Sequence, residues 1–116
     1  FELAERMNET SRVLPRGHSE FEAAGLTPAA SRCVRPPRVG EALAALECVV
    51  FDVVALPARA ASRRSHLVIG EVVGVHIDDD LIADGRVDQL ALAQVARHGY
   101  SDYSVVRELF AMPRPE

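Results

Sequence analysis

The sequence predicts a mainly β protein, a barrel wall with a few short helices. Two stretches carry that prediction. Residues 66–77 place Leu67, Ile69, Val73, Val75 and Ile77 at odd positions, with only Glu71 interrupting. A period of two with β-branched content is the mark of a strand. Residues 46–56 hold Val49, Val50, Phe51, Val53 and Val54 and are apolar on both faces except at Glu47 and Asp52. A strand covered on both sides belongs in a barrel wall backed by a helix or a partner subunit. The chain has 116 residues, 48% of them hydrophobic, which suffices for one domain with a modest core.

The elements follow in order. Residues 1–10 carry Leu3, Ala4 and Met7 at helical spacing and read as a helix end running into a loop. Pro15 and Gly17 make the next stretch irregular. Ser19 with Glu22 has the capping-box spacing, and Gly25 stands where a C-cap belongs, so residues 19–24 form a helix of one or two turns. Pro28, Pro36 and Pro37 keep residues 26–40 extended and loop-like, with short edge pairing around residues 31–34. Residues 41–46 form a turn or brief helix. The strands at 46–56 and 66–77 make an antiparallel hairpin across a polar loop with Arg59, Arg63 and Arg64. Asp84-Gly85 signals a turn. Residues 87–96 are mildly helical, residues 97–103 form a polar, aromatic loop, and residues 104–110 make a last short helix or strand before Pro113 and Pro115.

Composition excludes several classes. A net charge of −4 and a pI near 5.5 lack the basic face of a nucleic-acid binder. No apolar run is long enough to cross a bilayer as a helix, and the N-terminus shows no secretory signal. Cys33 and Cys48 have no metal-type spacing and are expected as free thiols in a reducing cytoplasm. The acidic run Asp78, Asp79, Asp80 and Asp84 fails the calcium-loop pattern, because Ile82 stands where an oxygen ligand belongs. No metal site is expected. Gly70 and Gly74 share the even face of the 66–77 strand with His66 and His76. They suggest a bulge, or a flat ligand close to the backbone.

Four blocks in register resemble flavin reductase-like proteins with an FMN-binding split barrel. They are residues 7–11 with 19–27, residues 36–39 leading into Leu46-Glu47-Cys48, residues 66–77, and residues 95–100 with Tyr103 and the 110–115 tail. The resemblance spans essentially all 116 residues but only the C-terminal portion of that family's single domain. The family's N-terminal segment, with its early strands and much of its FMN contact, has no counterpart here, and the chain begins at Phe1 instead of Met. The resemblance implies a six-stranded split barrel, a cytoplasmic homodimer, FMN near the dimer interface, and NADH or NADPH as electron donor. The alternative is a non-catalytic flavin-binding or structural split-barrel module.

His66 is the expected catalytic residue. In the family a histidine at the start of this strand, in a Gly-Asp-His pattern, sits near flavin and nicotinamide. Here the pattern is Arg64-Ser65-His66, so only the histidine matches. Imidazole can donate to a flavin carbonyl or move a proton; the ordinary alternative is a strand-end histidine satisfied by water. Arg97, Tyr100 and Tyr103 join His66 as expected flavin-binding residues, a fork for phosphate and rings for stacking. The competing account is a structural loop whose Arg97 pairs with Asp102 or another acid. Arg59, Arg63 and Arg64 can greet an anionic nucleotide but are more simply a solvated loop. Glu47 and Glu71, mid-strand, need partners if buried, and arginines across the sheet are the expected ones. His76, ten residues beyond His66, is expected to be structural or solvent-facing.

Overall fold

The computed structural model describes residues 1–57 and 65–115. Helices α1 (Ala4–Glu9) and α2 (Glu20–Ala24) precede a short antiparallel pair, β1 (Pro28–Ala29) and β2 (Arg38–Val39). A long antiparallel hairpin follows, β3 (Ala44–Leu56) and β4 (Ser65–Ile77). Beyond a 3-10 turn at Asp79–Leu81 come the pair β5 (Ile82–Ala83) and β6 (Arg86–Val87), helix α3 (Gln89–Leu92), and the pair β7 (Val95–Arg97) and β8 (Tyr103–Val105). The protein is mainly β with short helices, as expected. Among the described residues these four pairs do not ladder with one another, so they do not close a barrel.

Local chemistry explains the short elements. Gly25 ends α2 at φ +65°, while its N–H and that of Leu26 bond back to Glu22 and Phe21 at 3.2 and 2.8 Å. This is the left-handed helix ending that favours glycine. Asp84 and Gly85 both have positive φ, 51° and 72°, the conformation a two-residue hairpin turn requires. Asp88 caps α3 by accepting from the N–H groups of Leu90 and Ala91, both at 2.9 Å.

Several sequence expectations are corrected. Ser19 stands at the N-cap of α2, but its side chain makes no capping bond. Residues 31–34 do not pair as an edge; the pairing is Pro28 with Val39 and Ala29 with Arg38. Pro28 is tolerated because it opens a two-residue edge strand, where no ladder donor is needed. Residues 44–46 already belong to β3. The helical stretch at 87–96 shrinks to α3, since Ala93 leaves the helix at φ +48° and β7 begins at Val95.

The long hairpin carries two compensating bulges. Glu47 faces Gly74 but Cys48 faces Val72, which leaves Val73 as an extra residue on β4; Val50 faces Gly70 but Asp52 faces Ile69, which leaves Phe51 extra on β3. A bulge interrupts the alternation of its strand. A Cβ at Gly70 would meet Cys48 Cβ at 3.0 Å, whereas one at Gly74 would meet Glu47 Cβ and Cys33 Sγ at 3.3 Å. Glu47 and Cys48 are consecutive on an unbulged stretch of β3, so they point to opposite faces. Gly70 and Gly74 therefore lie on opposite faces, and so do His66 and His76. The single glycine-lined face expected from the sequence does not exist. Contacts within the chain account for both glycines.

Burial is sparse. Among the described residues only Ala24, Leu81 and Glu47 are buried. Leu46, Val50, Phe51 and Val68 are 64, 67, 74 and 59% exposed. The radius of gyration is 17.3 Å, against about 13 Å for a compact 100-residue domain. The hairpin projects from the rest of the chain.

Candidate functional site

Glu47 is the one buried charge among the described residues, 3% exposed. The segment between β1 and β2 crosses its face of the hairpin. Glu47 Oε1 accepts from the Arg32 N–H at 2.8 Å, and Oε2 from those of Cys33 and Val34 at 2.5 and 3.1 Å. His76 Nε2 closes the set on Oε1. The Arg32 N–H above all, then His76, pull the carboxyl down to about 2, against the opposing pull of desolvation. A carboxylate that accepts several N–H bonds is held ionised. The expectation of an arginine partner is corrected: backbone amides and His76 satisfy Glu47. Glu71 is exposed. The sequence signal was present, a lone glutamate in an apolar strand, but loop amides carry no side-chain signature to name them as partners.

A second carboxylate fastens the same region. Both oxygens of Glu41 accept from the Thr27 N–H at 3.0 Å, and Arg6 lies 3.7 Å away. The Thr27 bond is the main reason its carboxyl sits below the usual range. Arg6 also donates to the Gly25 carbonyl at 3.3 Å. Together Glu41 and Glu47 pin residues 27–34 from both ends.

The expected flavin-binding residues fall into two places. Arg97 and Tyr103 face each other across the β7–β8 pair. Tyr100 stands in the connecting turn at φ +58°, its side chain 95% exposed. His98 and Asp102 close that turn through a backbone bond of 2.9 Å, and His98 Nε2 meets Ser104 Oγ at 2.7 Å. Among the described residues Arg97 forms no ion pair with Asp102. One hairpin thus presents a guanidinium and two phenol rings that have hydrogen-bonding capacity left over among the described residues, groups of the kind that suit a phosphate and an aromatic ring. His66 lies elsewhere, exposed near the start of β4 and opposite Ala55. Among the described residues no hydrogen bond ties His66 to the β7–β8 hairpin. Arg59, Arg63 and Arg64 lie outside the described residues.

A cleft of about 740 Å³ runs between α1, the start of β3, α3 and β7, with Arg6, Glu41, Leu43, Leu92 and Arg107 on its walls. Arg107 stacks over the Phe1 ring at 5.5 Å. Cys33 and Cys48 are free thiols. Among the described residues no group of histidine, cysteine and carboxylate side chains has metal-binding geometry. No helix among them is long and apolar enough to cross a membrane.

Comparison with known proteins gives a consistent result. The sequence profile described as "Flavin reductase like domain" matches residues 2–94. An uncharacterized protein of Halalkalibacterium halodurans is 36% identical over 111 residues, covering 96% of this chain and 53% of that protein. Nitrilotriacetate monooxygenase component B of Bacillus cereus superimposes with a TM-score of 0.85 at 33% identity, over 95% of this chain and 55% of that one. A Shewanella frigidimarina protein described as a flavin reductase with split barrel domain gives 0.81 at 30% identity, over 98% and 56%. The chain spans about half the length of the proteins it matches.

Proposed function

The chain belongs to the flavin reductase-like domain family, and from that premise we propose that it is the C-terminal portion of a single FMN-binding split-barrel domain that passes hydride from NADH or NADPH to flavin. The observation that carries the reading is that Arg97 faces Tyr103 across the β7–β8 pair beside exposed Tyr100, groups of the right chemistry on one hairpin and unpartnered among the described residues. FMN, when bound, supplies the ring that accepts hydride. Arg97 would hold its phosphate through the guanidinium fork. Tyr100 and Tyr103 would lie against the ring and shield it from water. His66 would donate a hydrogen bond to the ring edge and carry a proton there.

The exposed β3–β4 hairpin supports the rest of the proposal. Its faces are covered when polypeptide outside residues 1–116 completes the barrel and a second copy packs against it as a homodimer. The cytoplasm is the compartment that suits two free thiols and a nicotinamide donor.

Steady-state oxidation of NADH and NADPH by the protein at its encoded length, with FMN, tests the reading. His66→Ala is expected to lower kcat about 100-fold, the scale of one general acid, while FMN still binds. An unchanged kcat removes His66 from the chemistry. The separation of His66 from the β7–β8 hairpin favours one second reading, a non-catalytic flavin-binding or structural module. FMN binding without accelerated oxidation of either donor would establish it.

A further inference from the structure

The loop between β1 and β2 is unusual for a chain with a net charge of −4. It carries Arg32 and Arg35, and Arg38 begins β2 where the loop ends. Arg32 and Arg35 are exposed, and among the described residues neither forms an ion pair. Arg38 Nε is shut from water and has no acceptor among those residues. Three guanidiniums within seven positions thus have donors to spare.

The loop is held rigidly from below. Pairing of Ala29 with Arg38 closes its base. Ser31 Oγ donates to the Pro36 carbonyl at 2.6 Å and closes its neck. Pro36 and Pro37 fix their φ angles. Glu47 takes the N–H groups of Arg32, Cys33 and Val34. The negative charge of Glu47 is spent on those amides and His76, beneath the loop, and does not pair with the guanidiniums above. A preorganised backbone reduces the ordering cost of binding. Guanidinium forks match phosphate oxygens in geometry as well as charge.

We propose that this loop binds a phosphate group of a nucleotide, with Arg32 and Arg35 as the contacting residues. The choice of nucleotide rests on the flavin-reductase reading; the phosphate site itself does not. Three sources carry phosphate oxygens that such a fork can take: the bridging diphosphate of either nicotinamide nucleotide, the 2′-phosphate of NADPH, and the 5′-phosphate of FMN, which would then displace Arg97 from that role.

The test compares the wild-type protein at its encoded length with Arg32→Ala/Arg35→Ala, Arg32→Lys/Arg35→Lys and the exposed control Arg16→Ala. Binding is measured by calorimetry for inorganic pyrophosphate, FMN, riboflavin, NADH and NADPH. The alanine pair is expected to weaken pyrophosphate about 10- to 100-fold, the scale of losing one or two charge-assisted hydrogen bonds. The lysine pair should fall between, having charge without the fork, and Arg16→Ala should match wild type. A parallel loss confined to FMN, with riboflavin unchanged, assigns the flavin phosphate. A loss shared by NADH and NADPH assigns the diphosphate, and a loss confined to NADPH the 2′-phosphate. Pyrophosphate affinity equal in wild type and the alanine pair overturns the proposal, as does an equal loss of riboflavin and FMN. A wild type that binds pyrophosphate through the arginines but takes no FMN would refute the flavin reading and leave the phosphate site standing.

Discussion

At the end of the β3–β4 hairpin that carries Glu47 and His76, one face lies under residues 27–39. At the end that carries Phe51, Ala55 and His66, side chains on both faces are exposed. The two ends are built from the same kinds of residue, valine, alanine and leucine with an occasional acid. What differs is the presence of a buried charge with a full set of partners. Glu47 draws three amides of residues 32–34 onto the sheet and takes the His76 imidazole from the neighbouring strand, and the strap that supplies the amides covers its face. Asp52, at the other end, spends its side chain on its own neighbour, accepting from the Val53 N–H at 2.7 Å beside the Phe51 bulge. Among the described residues it takes no partner distant in sequence. One end has one face covered within the chain, and the other presents apolar surface on both faces.

The largest expected effect comes from removing the charge that separates the two ends. Glu47→Ala strands three loop amides and the His76 ring in a site with little water. It should lower the thermal midpoint far more than Glu71→Ala, whose side chain is exposed. Equal midpoints for the two variants would erase the distinction between the ends.

Acid should act through the same group. In the folded protein the amide of Arg32 and the other donors pull the Glu47 carboxyl down to about 2, below the usual glutamate value of 4.5. Folding therefore favours the ionised form. Its contribution is complete above pH 4.5 and is lost as pH falls from there toward 2. Thermal midpoints measured across that window should drop in wild type, and Glu47→Gln should flatten the slope. A slope that survives the substitution would assign the acid sensitivity to other carboxylates.

The bare end answers to a different substitution. Val53 and Val68 face each other across the strands, 51 and 59% exposed. Val53→Arg removes little packing within the chain. In the proposed homodimer it should weaken self-association by about 2 kcal/mol, roughly 30-fold, the scale of a well-placed interface residue. Sedimentation equilibrium reads this directly, and an unchanged association constant would place the partner surface elsewhere.

The smallest effect tests the covered end for tightness. Gly74→Ala puts a methyl 3.3 Å from Cys33 Sγ and Glu47 Cβ. It should cost about 1 kcal/mol in denaturant unfolding, the low end of overpacking. A neutral result would mean the strap yields easily.

The sequence made some of this legible. The hairpin, the Gly25 ending of α2 and the Asp84-Gly85 turn all rest on local chemistry, and all are found. The bulges were not legible. Val73 is as β-branched as its neighbours, and a period-two pattern runs through it without a mark. That one extra residue moved His76 to the opposite face from His66 and separated two glycines that had looked like one surface. The pairing of Pro28–Ala29 with Arg38–Val39 was hidden because prolines read as breakers, although an edge strand tolerates them. At the candidate site, Arg97, Tyr100 and Tyr103 lie within seven consecutive positions, so one hairpin gathers them. Joining them to His66 takes contacts beyond the chain's own ladders, and local pattern cannot supply those.

The most direct test of the account is a titration of the protein at its encoded length with FMN, followed by absorbance and flavin fluorescence. The account predicts saturable binding at one FMN per protomer, with the flavin fluorescence changed on binding and the affinity reduced in Arg97→Ala. A protein that leaves the flavin spectrum and fluorescence unaltered throughout the titration would contradict it.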